Sequence, residues 1–83
     1  MGWYTYIIQN DLGRLYTGIT TDPPRRLIEH NGSPRGAKAT RAGRPWRFVY
    51  LQTAVTRTVA AQREYAIKTL TRAEKLALIQ AHS

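Results

Sequence analysis

The sequence predicts an α+β domain in which one three-stranded antiparallel sheet is flanked by helices, in the order ββαβαα. Three observations predict it. Trp3–Gln9 (WYTYIIQ) and Trp46–Ala54 (WRFVYLQTA) are aromatic and β-branched, the composition of strands. A further strand-like segment follows the first after a short Asn/Asp/Gly cluster, the signature of a hairpin. Three later segments with helical spacing each begin behind Asp or Thr, residues that cap free backbone amides. Eighty-three residues suit a single domain, 1–83. A chain of this size buries about 60–65% of the surface that its unfolded form exposes.

In order along the chain, the first strand is expected over 3–9 and turns at Asn10-Asp11-Leu12-Gly13. Arg14–Thr21 (RLYTGITT) returns antiparallel to it. Asp22 then caps a helix that Pro23 opens, since proline fits the first helical position, and Asn31-Gly32 ends it after His30. Residues 32–45 (GSPRGAKATRAGRP) hold three glycines and two prolines and read as a long loop. The third strand spans 46–54. Thr56 caps a helix through about Leu70, with Val59, Arg63, Ala66, Ile67 and Leu70 along one side. Thr71-Arg72-Ala73-Glu74 is a capping box for a last helix, 72–81, which has Leu76, Leu78 and Ile79 to bury. A sheet covered by helices is the simplest way to bury these faces.

Composition narrows the function classes. There is no cysteine, so disulfide scaffolds, zinc ribbons and thiol nucleophiles are excluded. No segment approaches the roughly 20 apolar residues of a membrane span, and the N-terminus lacks a basic region followed by an apolar run, so a cytoplasmic protein with no membrane partner is expected. Thirteen Lys and Arg against five Asp and Glu leave a net charge of +8. Ten of the thirteen are arginine, suited to bidentate phosphate contact, so nucleic acid is the expected partner. Arg35, Lys38, Arg41, Arg44 and Arg47 fall at every third residue with no acid between them, and form a candidate phosphate-contacting strip.

Phosphodiester hydrolysis needs an attacking water, an acceptor for its proton and positive charge for the phosphoryl oxygens. Of the five acids, Asp11 belongs to a turn, Asp22 to a helix cap and Glu74 to a capping box, while Glu29 reads as a solvated surface charge. Glu64 is left as the best metal ligand, and one carboxylate suits Mg²⁺, which keeps several of its waters. Glu64 and Lys68 also have the i,i+4 spacing of an ordinary surface ion pair. Tyr6 and Tyr16 lie on strands that should pair, where a tyrosine most often packs with its hydroxyl tied to a partner. Arg26 and His30 share one helix face, as a phosphate clamp and a proton carrier or simply as a basic face.

Taken together, Tyr4-Thr5-Tyr6, Leu15-Tyr16-Thr17-Gly18-Ile19-Thr20 and Arg25-Arg26-Leu27-Ile28-Glu29-His30 resemble the core of the GIY-YIG nucleases. That superfamily includes homing endonucleases, the bacterial excision-repair incision subunit and junction nucleases. The chain looks nearest to its small stand-alone YhbQ-like members, and the resemblance extends through Arg63-Glu64-Tyr65. It implies the GIY-YIG fold and a metal-dependent endonuclease with a one-metal, tyrosine-assisted mechanism. Tyr6, Tyr16, Arg26, His30 and Glu64 match its catalytic positions. Tyr6 is the phenol implied to help deprotonate the attacking water, Arg26 stabilises the phosphate charge, and Glu64 holds a single Mg²⁺ or Mn²⁺. Gly18 closes the second motif and lets the backbone pack beside the site. This sequence departs from the family at Tyr4-Thr5, which replaces Gly-Ile, and at Ile19, where some relatives carry lysine or serine. The expected substrate is DNA ahead of RNA, selected by structure rather than by sequence, because one short basic strip offers little surface for base readout. The rival readings are a binding module of the same fold with weak or no turnover, and a structural protein whose charge maintains solubility.

Overall fold

The computed structural model describes residues 2–32, 35–40 and 42–82. Strands β1 (Trp3–Asn10), β2 (Leu15–Thr20) and β3 (Trp46–Ala54) form one antiparallel sheet in the order β2-β1-β3. Helix α1 (Pro23–Gly32) follows the hairpin, and α2 (Arg57–Lys68) and α3 (Arg72–His82) follow β3. The expected order ββαβαα is therefore the observed one. The loop before β3 contains a short 3₁₀ turn, Lys38–Thr40, which the sequence reading did not anticipate.

Each boundary has a local cause. The Asn10 side chain accepts the Leu12 and Arg14 amides, and Gly13 takes a positive φ of 81° to close the hairpin. The Asp22 carboxylate accepts the Arg25 amide at the start of α1. Thr56 caps α2 by accepting the Val59 amide, and Thr71 and Glu74 exchange the two bonds of a capping box at α3. Helix α2 ends at Lys68, two residues before the expected Leu70, with Thr69 as its C-cap. Its buried residues are Ala60 and Ile67, whereas Ala66 faces outward. On α3, Leu78 and Ile79 pack against the core, but Leu76 is exposed.

As the middle strand, β1 has both of its faces covered. Tyr6 and Ile8 point to one side, where Trp46, Tyr16, Leu27, Phe48 and Leu51 pack around them. Thr5 and Ile7 point to the other, with Tyr50 and Ile67 beside Ile7 and the Thr5 hydroxyl donating to the Ala60 carbonyl. Between Ile7 and Ile8 the β1–β3 register slips, because Ile7 pairs with Tyr50 and Ile8 with Phe48. Such a bulge turns the strand by one residue. It places Phe48 and Trp46 on the Tyr6 face and sends Arg47 to the opposite one.

Candidate active site

The site is built on the Tyr6 face. Tyr6 pairs across the hairpin with Gly18, and Tyr16 pairs with Ile8, so both phenols share this face as diagonal neighbours. A Cβ at Gly18 would lie 2.5 Å from the Tyr6 hydroxyl oxygen, so only glycine admits the ring in this position. From α1, the His30 imidazole is the helix's one buried side chain and fills a core position that an apolar residue would ordinarily take. Its Nε2 lies 2.6 Å from the Tyr6 hydroxyl and its Nδ1 lies 2.8 Å from the Thr40 hydroxyl. The Tyr16 ring meets the imidazole edge-on at 5.1 Å.

Arg26, one turn before His30, donates 2.9 Å bonds to Glu29 and to the Arg35 carbonyl, and its charge acts on the Tyr6 phenol. Glu29, read from sequence as a solvated charge, pairs with both Arg25 and Arg26 and orients the latter. The Arg26 guanidinium loses some solvation, but its bond to Glu29 and its interaction with the Tyr6 phenol more than offset that, so it holds its proton more firmly than a free arginine. Glu64 is paired with Lys68 at 3.3 Å, as the helical spacing allows, and its charge also reaches the Tyr6 phenol.

Burial pushes the Tyr6 phenol up to about 12, with Arg26 opposing the shift and Tyr16 and Glu64 adding to it. Burial lowers His30 to about 4; the positive charges of Arg26 and Arg44 lower it further, and Glu29 resists. At neutral pH both groups are therefore uncharged. Tyr6 is 1% exposed, whereas Tyr16 is half-buried.

Of the five expected basic contacts, the four among the described residues have different neighbours. Arg35 is exposed, and its carbonyl holds Arg26. Lys38 opens the 3₁₀ turn and faces solvent. Arg44 is exposed and donates from its Nε to the His30 carbonyl at 2.8 Å. Arg47 lies on the face opposite Tyr6, beside Asp11 and Gln9, because of the bulge in β3. Arg41 lies outside the described residues. The sequence reading gave Thr40 no role and took Asn31 only as part of a helix-end signal. Asn31 ties the end of α1 to the start of β3 by accepting the Trp46 amide and donating to the Trp46 carbonyl. A threonine in a polar loop and an asparagine at the end of a helix carry no local signal of such long-range contacts.

Hard oxygen donors suit a hydrated divalent ion, and among the described residues no three or more His, Asp or Glu side chains form a cluster that would hold a metal without substrate. Glu64, whose charge reaches the Tyr6 phenol, could supply the one carboxylate of an ion that leaves its other positions to water and phosphate. Also among the described residues, no helix is long and apolar enough to cross a membrane.

Comparison with known proteins agrees with this geometry. Residues 2–77 match the GIY-YIG catalytic domain family. A UPF0213 protein of Desulfotalea psychrophila is 49% identical over 79 residues, which is 95% of this chain and 72% of that protein. A UPF0213 protein of Staphylococcus epidermidis is 46% identical over 77 residues, 93% of each chain. The solution NMR structure of a UPF0213 protein from Bacillus halodurans matches with a TM-score of 0.62 at 38% identity, covering 98% of this chain and 85% of that one. An E. faecalis protein solved by NMR gives 0.65 at 36% identity, with 99% and 88% covered. With this much of its length aligned at these identities, the chain belongs to the GIY-YIG catalytic domain family of the nuclease superfamily, among its small UPF0213 members.

Proposed function

We propose that this protein is an endonuclease that hydrolyses phosphodiester bonds in nucleic acid, DNA ahead of RNA, with one divalent metal ion. The observation that carries the reading is the meeting of Arg26, Tyr16, Tyr6 and His30 around one point on the sheet within the field of Glu64. Arg26 stays charged at any working pH and stabilises the negative charge that builds on the phosphoryl oxygens. Such a preorganised donor is worth about 10²–10³ in rate. Glu64 would hold Mg²⁺ or Mn²⁺, which when bound supplies charge to the phosphate and acidifies water.

The two tyrosines divide the work. The sequence reading gave the water's proton to Tyr6, but that phenol is buried and holds its own proton up to about pH 12. The Tyr6 proton goes to His30 Nε2, and the phenol lies within the field of Arg26. Tyr6 thus serves to order the site. Tyr16, half-buried beside it, is the phenol that meets the attacking water.

The test is a panel of labelled substrates (duplex, single strand, flap, junction and RNA) with and without Mg²⁺, run with the wild type and with Glu64→Ala and Arg26→Ala purified in parallel. The wild type should nick at least one DNA form only with metal, and both variants should lose the activity while remaining folded by circular dichroism. Equal cutting by all three proteins would remove the assignment. Salt-sensitive binding with no cleavage under any metal would favour the inactive binding module.

A further inference from the structure

We infer that Thr40 is a positioning residue that acts through His30 to orient the Tyr6 hydroxyl in the site, by fixing which imidazole nitrogen carries the proton. The inference rests on the reading of this cluster as a nuclease site.

The argument is a count of protons along one chain of contacts. At one end stands the Ala37 carbonyl, which only accepts and lies 2.8 Å from the Thr40 hydroxyl. Tyr6, His30 and Thr40 can each give one hydrogen and take one, at separations of 2.6 Å from Tyr6 to His30 and 2.8 Å from His30 to Thr40. The fixed end sets the direction: Thr40 donates to Ala37, His30 Nδ1–H to the Thr40 oxygen, and Tyr6 to His30 Nε2. With the ring hydrogen on Nε2 instead, the lone pairs of Nδ1 and of the Thr40 oxygen would face each other. His30 and Thr40 are fully buried and Tyr6 nearly so, which excludes water as a substitute partner.

Thr40 is itself fixed. Its amide also bonds the Ala37 carbonyl to close the 3₁₀ turn, and its carbonyl accepts the Trp46 indole N–H at 2.8 Å. The turn therefore presents the hydroxyl as a rigid acceptor for Nδ1–H. Without it, the neutral ring would place its hydrogen on Nε2, where it can bond the Tyr6 oxygen. The Tyr6 hydrogen would then turn away from His30, and the hydroxyl would lose its orientation in the site.

The experiment is long-range ¹⁵N–¹H NMR of the imidazoles in the full chain at neutral pH, alongside cleavage. In the wild type, His30 should carry its hydrogen on Nδ1 with Nε2 unprotonated. Thr40→Ser, which keeps the hydroxyl, should retain that tautomer and cleave within about twofold of wild type. Thr40→Val should move the hydrogen to Nε2 and lower cleavage by about 10²-fold, the scale of one misplaced transition-state donor. A wild-type His30 protonated at Nε2 would overturn the inference whatever the cleavage result, and so would a folded Thr40→Val protein that keeps the Nδ1–H form. If the tautomers behave as expected and no variant or wild type cuts any substrate, the nuclease reading fails while the proton chain stands.

Discussion

At the scale of single residues, the site depends on buried groups kept neutral. His30 has a folded value near 4 against 6.5 for the free side chain, so the unfolded chain binds the proton first as the pH drops. The stability due to the neutral ring is complete above pH 6.5 and is lost as the pH falls toward 4. The loss is roughly 3 kcal/mol at the lower limit. Urea midpoints measured between pH 7 and 4 should fall accordingly and should fall less in His30→Gln. The phenols should separate on substitution. Tyr16→Phe should abolish cleavage at nearly unchanged stability, while Tyr6→Phe should cost about 1–2 kcal/mol because it deprives His30 of a buried partner. The reverse pattern, with Tyr6→Phe stable but dead and Tyr16→Phe active, would return the water to Tyr6. Gly18→Ala places a methyl against the Tyr6 hydroxyl and should cost about 1–3 kcal/mol by overpacking, read as a lowered melting temperature.

At the scale of elements, the long loop and α1 act as one unit with β3. Asn31 bonds both the amide and the carbonyl of Trp46, and Trp46 in turn bonds the Thr40 carbonyl. Asn31→Ala would leave the Trp46 backbone groups short of partners and should cost about 2–3 kcal/mol in denaturant unfolding. The strands and α-helices were legible in the sequence because their signals are local: Asp22, Thr56 and Thr71 as caps, Gly13 in the turn, aromatic strands. The family motif then pointed to Tyr6, Tyr16, Arg26, His30 and Glu64. What was not legible depends on contacts between distant segments. Strict alternation back from Leu51 would put Arg47 on the Tyr6 face, and only the slip at Ile7/Ile8 reverses it. The hydroxyl of Thr40 is likewise unremarkable in its loop until α1 brings His30 against it.

At the scale of the whole molecule, a net charge of +8 acts on a polyanion from every side, but the structure divides the cations by face. Lys38 lies in the loop beside the site, and Arg47 lies across the sheet from it. Binding affinity should fall with salt, and Lys38→Ala should reduce the slope of log affinity on log salt by about 0.7–0.9, the share of one phosphate contact. Arg47→Ala should leave the slope unchanged. The central claim is that Glu64 and the Tyr16, Tyr6 and His30 cluster share one ion and one phosphate. Paramagnetic broadening by substoichiometric Mn²⁺ tests it most directly. The account predicts that the Glu64 signals broaden first, then those of Tyr16 and its neighbours, and that Glu64→Gln abolishes the effect. Broadening centred on Asp11 or Glu74, or persisting unchanged in Glu64→Gln, would contradict it.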